Sequence, residues 1–234
     1  MSDISASLAL ALRLIAGGDP GLWSIVALSL EVSLASALIA CALGLPLGGL
    51  VAACAFPGRR IAIVSLNALL GLPSVVVGLV VYLLLSRAGP LGELGILFTP
   101  TAIVVAQAIL VLPMVAALSR QFVEDAWSEY REQLTSLGVT PARAVPTLLW
   151  DARFSLLTVV LLGFGRAASE VGAVMIVGGN IDGVTRVMTT AIALETSKGD
   201  LPLALALGVI LIAVVLAMNS LAYAVREWSA RRFG

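Results

Sequence analysis

The sequence EDAWSEYREQLTSLGVTPARAVPTLLWD, residues 124–151, is the longest polar stretch of this chain, and the apolar segments are arranged on either side of it. Three long apolar segments precede it and two more follow it. Side chains of this polarity are costly to place in lipid, so we expect the stretch to lie in water between membrane-spanning segments. Its charged residues are Glu124, Asp125, Glu129, Arg131, Glu132, Arg143 and Asp151.

The order of residues in this stretch predicts a helix, a glycine break and a second helix. Residues 124–136 are mostly good helix formers. Gly138 suits the left-handed position that follows a helix, and Thr140 and Pro141 suit the cap and first residue of the next one. Pro146 lacks a backbone donor, so we expect the second helix to kink or restart there. A hairpin of this kind in a membrane protein either connects two spans or contacts a partner in water.

Composition places the chain among membrane proteins and excludes several other classes. Of its 234 residues, 60% are hydrophobic, and the formal net charge is zero, which gives no basic footprint for nucleic acid. Without histidine, neither a Ser-His-Asp site nor a Cys/His zinc site can form. Cys41 and Cys54 would stand about 20 Å apart on one helix, too far for a disulfide. The first residues, MSDIS, lack the features of a signal peptide, and the chain has no phosphate-binding G-x-x-x-x-G-K-[ST] motif.

Five apolar segments are long enough to span a membrane as helices, which predicts an all-α integral membrane protein. Residues 71–74, Gly-Leu-Pro-Ser, interrupt the second segment, and a break of this kind is tolerated against protein or a water-filled path. Residues 5–16 are apolar but short, so we expect an interfacial helix there, with a sixth span as the alternative. A short helix is expected at residues 188–195. The predicted spans are residues 23–55, 61–86, 96–119, 154–177 and 203–225.

The fourth span carries an ionisable pair well inside the apolar region. Arg166 and Glu170 are four residues apart, so a continuous helix would bring them together on one face. An intramembrane charge pair is a candidate functional site, and the alternative is a neutralised structural ion pair. A stripe of small residues at helical spacing would allow a neighbouring helix to approach closely. The stripe consists of Gly165, Ala168, Ser169 and Gly172.

The polar stretch resembles the EAA loop of binding-protein-dependent ABC transporter permeases. That motif reads E-A-A, three residues, then G, followed about ten residues later by I-x-L-P. Glu132 and Gly138 stand at the matching spacing, while Gln133 and Leu134 replace the two alanines. Leu148 matches the later aliphatic position, but Trp and Asp occupy positions 150 and 151, where Leu and Pro are usual.

A second segment narrows the resemblance within that family. The sequence GFGRAASEVGAVMIVGGN, residues 163–180, is similar to a segment of molybdate, sulfate and tungstate permeases that reads A-R-A-x-x-E-x-G-A and ends in G-N. Residues 185–200, TRVMTTAIALETSKGD, look like the tungstate members in particular. The matching positions are Arg166, Ala167, Glu170, Gly172, Ala173, Gly179 and Asn180.

This resemblance implies a type I ABC importer permease fold, with five transmembrane helices and an N-terminal interfacial helix in one permease domain, residues 1–234. It implies a non-catalytic subunit without a cofactor, which pairs with a second copy of itself in the prokaryotic plasma (inner) membrane. The other implied partners are two ABC ATPase subunits and a periplasmic or lipid-anchored substrate-binding protein. Tungstate is the expected substrate, with molybdate or sulfate as alternatives. The expected ATPase-coupling residues are Glu132, Gln133, Leu134, Gly138, Val139, Thr140 and Pro141.

A dianion that crosses the membrane needs hydrogen-bond donors without a deep binding trap. Arg166 could supply positive charge, which Glu170 would offset, so we expect a weakly binding path lined by backbone amides and hydroxyls. High-affinity selection would then belong to the binding protein. The residues expected along this path, or in the intramembrane pair, are Arg166, Ser169, Glu170, Gly172, Thr189 and Thr190.

The distribution of lysine and arginine predicts which side of the membrane the hairpin occupies. Nine of these residues fall in the loops and tail on the hairpin side, and four fall on the other side. Cytoplasmic loops carry the excess of positive charge, so the hairpin and the C-terminus are expected in the cytoplasm and the N-terminus outside. The nine are Arg59, Arg60, Arg120, Arg131, Arg143, Arg153, Arg226, Arg231 and Arg232; the four are Arg13, Arg87, Arg186 and Lys198.

Two other classes of function compete with a permease. An ion-coupled secondary transporter could also carry Arg166 and Glu170 at mid-membrane, but such proteins are built from internal repeats, and five spans do not divide evenly. A membrane enzyme would need convergent catalytic groups, and this one pair on a helix makes a poor active site. The sequence therefore favours the ABC permease.

Overall fold

The computed structural model describes residues 2–233. The regular secondary structure of this part consists of helices joined by turns and loops. One 3₁₀ turn, Gly92–Leu94, precedes the fifth helix. The α-helices are α1 Ser2–Ala16, α2 Pro20–Ala53, α3 Arg59–Leu69, α4 Ser74–Leu85, α5 Pro100–Ser136, α6 Pro141–Asp151, α7 Arg153–Ala168, α8 Gly172–Gly178, α9 Met188–Lys198 and α10 Leu201–Phe233.

In the described part, three helices are long and apolar enough to cross a membrane: α2, α5 and α10. Two bent pairs of shorter helices, α3 with α4 and α6 with α7, raise that number to as many as five if each pair forms one span. The interruption predicted at residues 71–74 is confirmed, because α3 ends at Leu69 and α4 begins at Ser74. The short helix predicted at residues 188–195 is confirmed as α9, and residues 6–16 form an apolar helix too short to span.

Chain contacts divide the protein into two compact units. The first contains residues 1–35, 73–107 and 166–217. Its apolar core joins the start of α2 to α9 and α10 through residues such as Leu22, Met188 and Leu207. The Ser29 hydroxyl accepts the Met188 N–H at 2.6 Å and donates to the Ile25 carbonyl at 2.7 Å. This bridge satisfies a free donor at the start of α9 and fixes that helix against α2.

The second unit contains residues 36–72, 108–165 and 218–234. Here α2 and α5 approach with their backbones nearly touching, since a Cβ added to Gly48 would lie 2.4 Å from the Ala116 carbonyl oxygen. The Ser119 hydroxyl donates to the Leu45 carbonyl at 3.0 Å across the same contact. An apolar cluster nearer the hairpin holds α2, α5 and α6 together: Ala52, Ala53, Val123, Ala144, Val145 and Leu148.

Two predicted helix boundaries inside the polar stretch are wrong. Residues 124–136 do not form a separate short helix, because α5 continues without interruption from its apolar part to Ser136. Of the two alternatives predicted at Pro146, a kink or a restart, the restart does not occur, since α6 runs through Pro146 to Asp151. The break comes instead at Ala152, where α6 and α7 meet at 79°. Pro146 lies on an exposed face of α6, where water can satisfy the carbonyl that loses its partner.

The prediction of one continuous helix over residues 154–177 is also wrong. Residues 169–171 separate α7, which ends at Ala168, from α8, which begins at Gly172. The proposed small-residue stripe is therefore not one helix face. Gly172 is in close contact with α4, because an added Cβ would lie 2.8 Å from Val75 Cγ2. Gly165 has open space at the same position.

Candidate functional site

The hairpin, residues 124–151, turns at a glycine that adopts the predicted left-handed conformation. Gly138 has a φ of 74°, and its N–H donates to the Thr135 carbonyl at 3.0 Å. The next residue, Val139, donates to the Leu134 carbonyl at 3.0 Å, which closes the end of α5. Thr140 is extended, with a ψ of 151°, and makes no side-chain cap, while Pro141 occupies the first turn of α6 as predicted.

The predicted coupling residues fall into two groups by exposure. Leu134 and Val139 are half-buried and pack against the apolar cluster of α2, α5 and α6. The other five are exposed: Glu132, Gln133, Gly138, Thr140 and Pro141. The sequence reasoning did not single out Leu137, which stands at the tip of the hairpin with 77% of its surface exposed.

The two helices of the hairpin, the end of α5 and α6, pack against each other. The carboxylates of Asp151 and Glu129 raise the pKa of the Tyr130 hydroxyl above its usual value of about 10. Trp127 and Tyr130 of α5 pack against the apolar cluster that contains Ala144 of α6, so the hairpin folds back on itself.

Three charged residues at the base of the hairpin form a polar clamp, consisting of Arg59, Arg120 and Glu124. Arg59 Nη2 lies 2.8 Å from Glu124 Oε1, and Arg120 pairs with the other oxygen of the same carboxylate. Arg59 also donates from Nε to the Val51 carbonyl at 2.8 Å. The sequence reasoning missed this cluster, although the i,i+4 spacing of Arg120 and Glu124 was visible.

Arg166 and Glu170 are paired as predicted, with 2.6 Å between Arg166 Nη1 and Glu170 Oε2. The Glu170 side chain is 3% exposed and the Arg166 side chain 38% exposed. Glu170 Oε1 also accepts the Ala173 N–H at 3.2 Å, at the start of α8. The carboxylate is thus held by several donors rather than by a single ion pair.

The break between α7 and α8 packs against the break that precedes α4. The Ser74 hydroxyl hydrogen-bonds the Glu170 carboxylate. An added Cβ on Gly78 would lie 2.7 Å from the Ala173 Cα, so α4 and α8 touch through their backbones. The sequence located the interruption before α4 but not the one between α7 and α8, and it gave no signal that Ser74 and Glu170 would meet.

The structure places the remaining candidates of the predicted path in different environments. Ser169 is exposed, and its hydroxyl donates to the Arg166 carbonyl at 3.2 Å. Thr189 is buried and donates to the Glu170 carbonyl at 2.8 Å. The buried Thr190 hydroxyl accepts the Val187 N–H at 3.1 Å and so caps α9. Both threonine hydroxyls are therefore engaged within the protein.

The described residues contain no cluster of three or more Cys, Asp or Glu side chains that could hold a metal ion. Both cysteines are free thiols, with Cys41 buried and Cys54 half-buried.

The family model and the relatives that match this chain agree on its class. The family described as binding-protein-dependent transport system inner membrane component matches residues 44–234. The tungstate uptake system permease protein TupB of Peptoclostridium acidaminophilum is 40% identical over 97% of this chain and 100% of the relative. A probable anion ABC transporter permease protein of Haloferax volcanii is 41% identical over 90% of this chain and 93% of the relative.

Two further relatives bear on the choice of substrate. The TupB protein of Campylobacter jejuni is 42% identical over 68% of this chain and 66% of the relative. The molybdenum transport system permease protein ModB of Escherichia coli K12 is 29% identical over 89% of this chain and 93% of the relative. With a family match over residues 44–234 and relatives of this identity over nearly its whole length, the chain belongs to the binding-protein-dependent transport system inner membrane components, a family of ABC transporter permeases.

Proposed function

We propose that this chain is the membrane permease subunit of an ATP-driven tungstate importer. The observation that carries the proposal is the 40% identity to a tungstate permease over 97% of this chain. A match of this extent includes the hairpin, the Arg166–Glu170 cluster and the loop that follows it. The chain itself supplies no ATP-binding motif, so hydrolysis belongs to a separate ATPase subunit.

Molybdate and sulfate are the alternative substrates. All three are tetrahedral dianions, so a path built from weak donors offers little basis for choosing among them. The lower identity to the molybdenum permease, 29%, favours tungstate. An ion-coupled secondary transporter is not supported, because the family match is to a binding-protein-dependent transport component and the Haloferax volcanii relative is an ABC transporter permease protein.

The same proposal covers the assembly. Two copies of this chain form one pathway, each as a single permease domain with five transmembrane helices and an interfacial α1, in the type I importer fold. Two ATPase subunits bind on the cytoplasmic side and a substrate-binding protein binds outside. The excess of nine against four basic residues on the hairpin side supports a cytoplasmic hairpin and an outer N-terminus in the prokaryotic inner membrane.

The hairpin serves as the lever that couples the ATPase to the pathway. Its exposed residues, Glu132 and Gln133 on α5 and Thr140 and Pro141 at the start of α6, form the docking face. Leu134 and Val139 attach that face to the apolar cluster beneath it. Because α5 continues into the hairpin as one helix, a movement of the hairpin passes directly into a membrane-spanning segment.

The Arg166–Glu170 cluster borders the path of the anion. Arg166 and Ser169 present polar atoms outside the buried core, while Glu170, held by Ser74 and the start of α8, offsets the positive charge. Gly172, Thr189 and Thr190 complete the surroundings of this cluster. A nearly neutral polar lining binds a dianion weakly, which suits a path from which the ion must also leave.

Co-purification with candidate ATPase and binding-protein subunits tests the proposal. We expect an intact assembly of two permease and two ATPase chains, whose ATP hydrolysis rises on addition of tungstate with its binding protein. Repeating the assay with molybdate and sulfate separates the three substrates. A stable particle without an ATPase, which transports in response to an ion gradient, would contradict the proposal.

A further inference from the structure

The polar clamp joins the end of α2 to the helix that carries the hairpin. Besides its bond to Val51, Arg59 donates from Nη2 to the Ala52 carbonyl at 3.1 Å and to Glu124 Oε1 at 2.8 Å. The last carbonyls of a helix have no partner within the helix. Arg59 is the first residue of α3, and its guanidinium group both caps the end of α2 and contacts α5.

Glu124 is the residue on which the clamp depends, because each of its carboxylate oxygens accepts from a different arginine. The Arg120 side chain is 12% exposed, whereas the side chains of Glu124 and Arg59 are 41% and 31% exposed. Only the Arg120 end of the clamp is therefore shielded from water. The clamp thus joins α2 and α5 through directional hydrogen bonds, which apolar contacts alone do not provide.

Around the clamp, α2 packs tightly against α5 and α6. Gly48 brings α2 against the backbone of α5, where an added Cβ would lie 2.8 Å from the Arg120 backbone nitrogen. Gly49 lies close to a side chain of α6, since an added Cβ would be 2.7 Å from Val145 Cγ1. Contacts as tight as these leave little room for sliding, so the clamp closes a block that is already dense.

We propose that Glu124 is a positioning residue for coupling, which holds the end of α2 and the start of α3 to the hairpin through Arg59, while Arg120 orients its carboxylate from the same helix. Hairpin movement is then delivered to α2 as well as to α5 and α7. This inference rests on the proposed function. It adds a connection that lies outside the docking face and touches neither ATP nor the anion.

The test uses the complete transporter with its binding protein in proteoliposomes. Tungstate uptake and ATP hydrolysis are measured on the same sample. We expect Glu124→Gln to retain assembly and hydrolysis but to lower the tungstate transported per ATP at least fivefold. Glu124→Asp, which keeps the charge, should recover part of this loss. Asp125→Asn is the matched control, because Asp125 is exposed on the same helix and makes no ion pair among the described residues. We expect its ratio to stay within twofold of the wild type.

A distance measurement separates this role from a merely structural one. Spin labels at Ala55→Cys and Glu129→Cys, with Cys41 and Cys54 replaced by serine, report the distance between the end of α2 and the hairpin. Labelled chains are mixed with an excess of unlabelled chains, so that only the distance within one chain is measured. We expect this distance to be narrow with and without ATP in the otherwise wild-type chain, and broad or ATP-dependent with Glu124→Gln. An unchanged transport ratio and an unchanged distance in that variant would overturn the inference.

If Glu124→Gln does not assemble, Arg59→Lys decides the question, because lysine keeps the charge but lacks the separate Nε and Nη2 donors that bond Val51, Ala52 and Glu124. A wild-type transport ratio in Arg59→Lys would also overturn the inference. Failure of the proposed function gives a different result. The unmodified complex would then transport no tungstate, while the label distance would still report whether Glu124 holds α2 to the hairpin.

Discussion

Arg166 and Glu170 form an ion pair with 2.6 Å between Nη1 and Oε2, although α7 ends between them at Ala168. The carboxylate is buried and also accepts the Ala173 N–H, in the first turn of α8. Glu170 therefore joins two helices across a break, and Arg166 supplies the charge that makes its burial tolerable.

Removing Arg166 alone should harm the protein more than neutralising both partners. Arg166→Met leaves a buried carboxylate without its cation, which costs about 3 kcal/mol for a broken buried pair. Adding Glu170→Gln removes the charge and keeps an amide that can still accept from Ala173, so the double variant should regain most of the loss. Thermal unfolding of the purified chain in detergent measures this order.

The control for this pair is Ser169→Ala, which changes an exposed neighbour in the same break. We expect its unfolding temperature to lie near that of the wild type, since exposed substitutions cost within about 0.5 kcal/mol. An Arg166→Met variant as stable as the double variant would show that Glu170 does not need the cation.

Gly138 should be required for its backbone conformation and not for space. Its φ is 74°, and an added Cβ would meet no atom within 4 Å. Valine at this φ is a steric outlier and costs about 1–2 kcal/mol, whereas asparagine adopts the left-handed region readily. We expect Gly138→Val to lose coupled transport and Gly138→Asn to retain it, measured as tungstate uptake per ATP in proteoliposomes. Normal ATPase docking and uptake in Gly138→Val would refute this expectation.

Local signals in the sequence predicted the hairpin turn and the interruption at residues 71–74. These signals each act within a few residues, so the local pattern is enough to predict a turn or a break. They are a left-handed glycine, a proline in the first turn of a helix and a Gly-Leu-Pro-Ser sequence. The extension of α5 to Ser136 was not predicted. Its apolar and polar parts differ in composition, but a helix needs no change of structure where it leaves the membrane.

The breaks that depend on tertiary contacts could not be read from the sequence. Residues 169–171 contain neither proline nor glycine, yet the helix ends there. The structure provides the reason, because Glu170 is held by Ser74, which lies almost a hundred residues earlier. The polar clamp was missed for the same reason, since Arg59 and Glu124 are 65 residues apart.

Gly48 should be the glycine of α2 least tolerant of a side chain. An alanine Cβ there would lie 2.4 Å from the Ala116 carbonyl oxygen, and backbone on both sides prevents an easy shift. We expect Gly48→Ala to destabilise the purified chain by about 1–3 kcal/mol through overpacking. Gly208→Ala in α10 is the control, because its Cβ would meet nothing within 4 Å. Equal unfolding temperatures for the two variants would contradict the close approach of α2 and α5.

The free thiol of Cys54 should report which side of the membrane carries the hairpin. Cys54 is half-buried and lines a cavity of about 510 Å³ beside Arg59 and Glu124, whereas Cys41 is buried within α2. A membrane-impermeant maleimide should therefore label Cys54 and leave Cys41 unmodified. Because positive charge is concentrated on the hairpin side, we expect this labelling in inside-out vesicles and not in right-side-out vesicles.

Ser197→Cys, in a chain with both native cysteines replaced by serine, provides the opposite marker. Ser197 is exposed in α9, in the loop that is predicted to lie outside. Its labelling should occur in right-side-out vesicles, which also shows that the reagent reaches the protein in that preparation. The reverse pattern at both positions would place the hairpin outside the cell, where no ATPase could meet it, and would contradict the proposed coupling as well as the orientation.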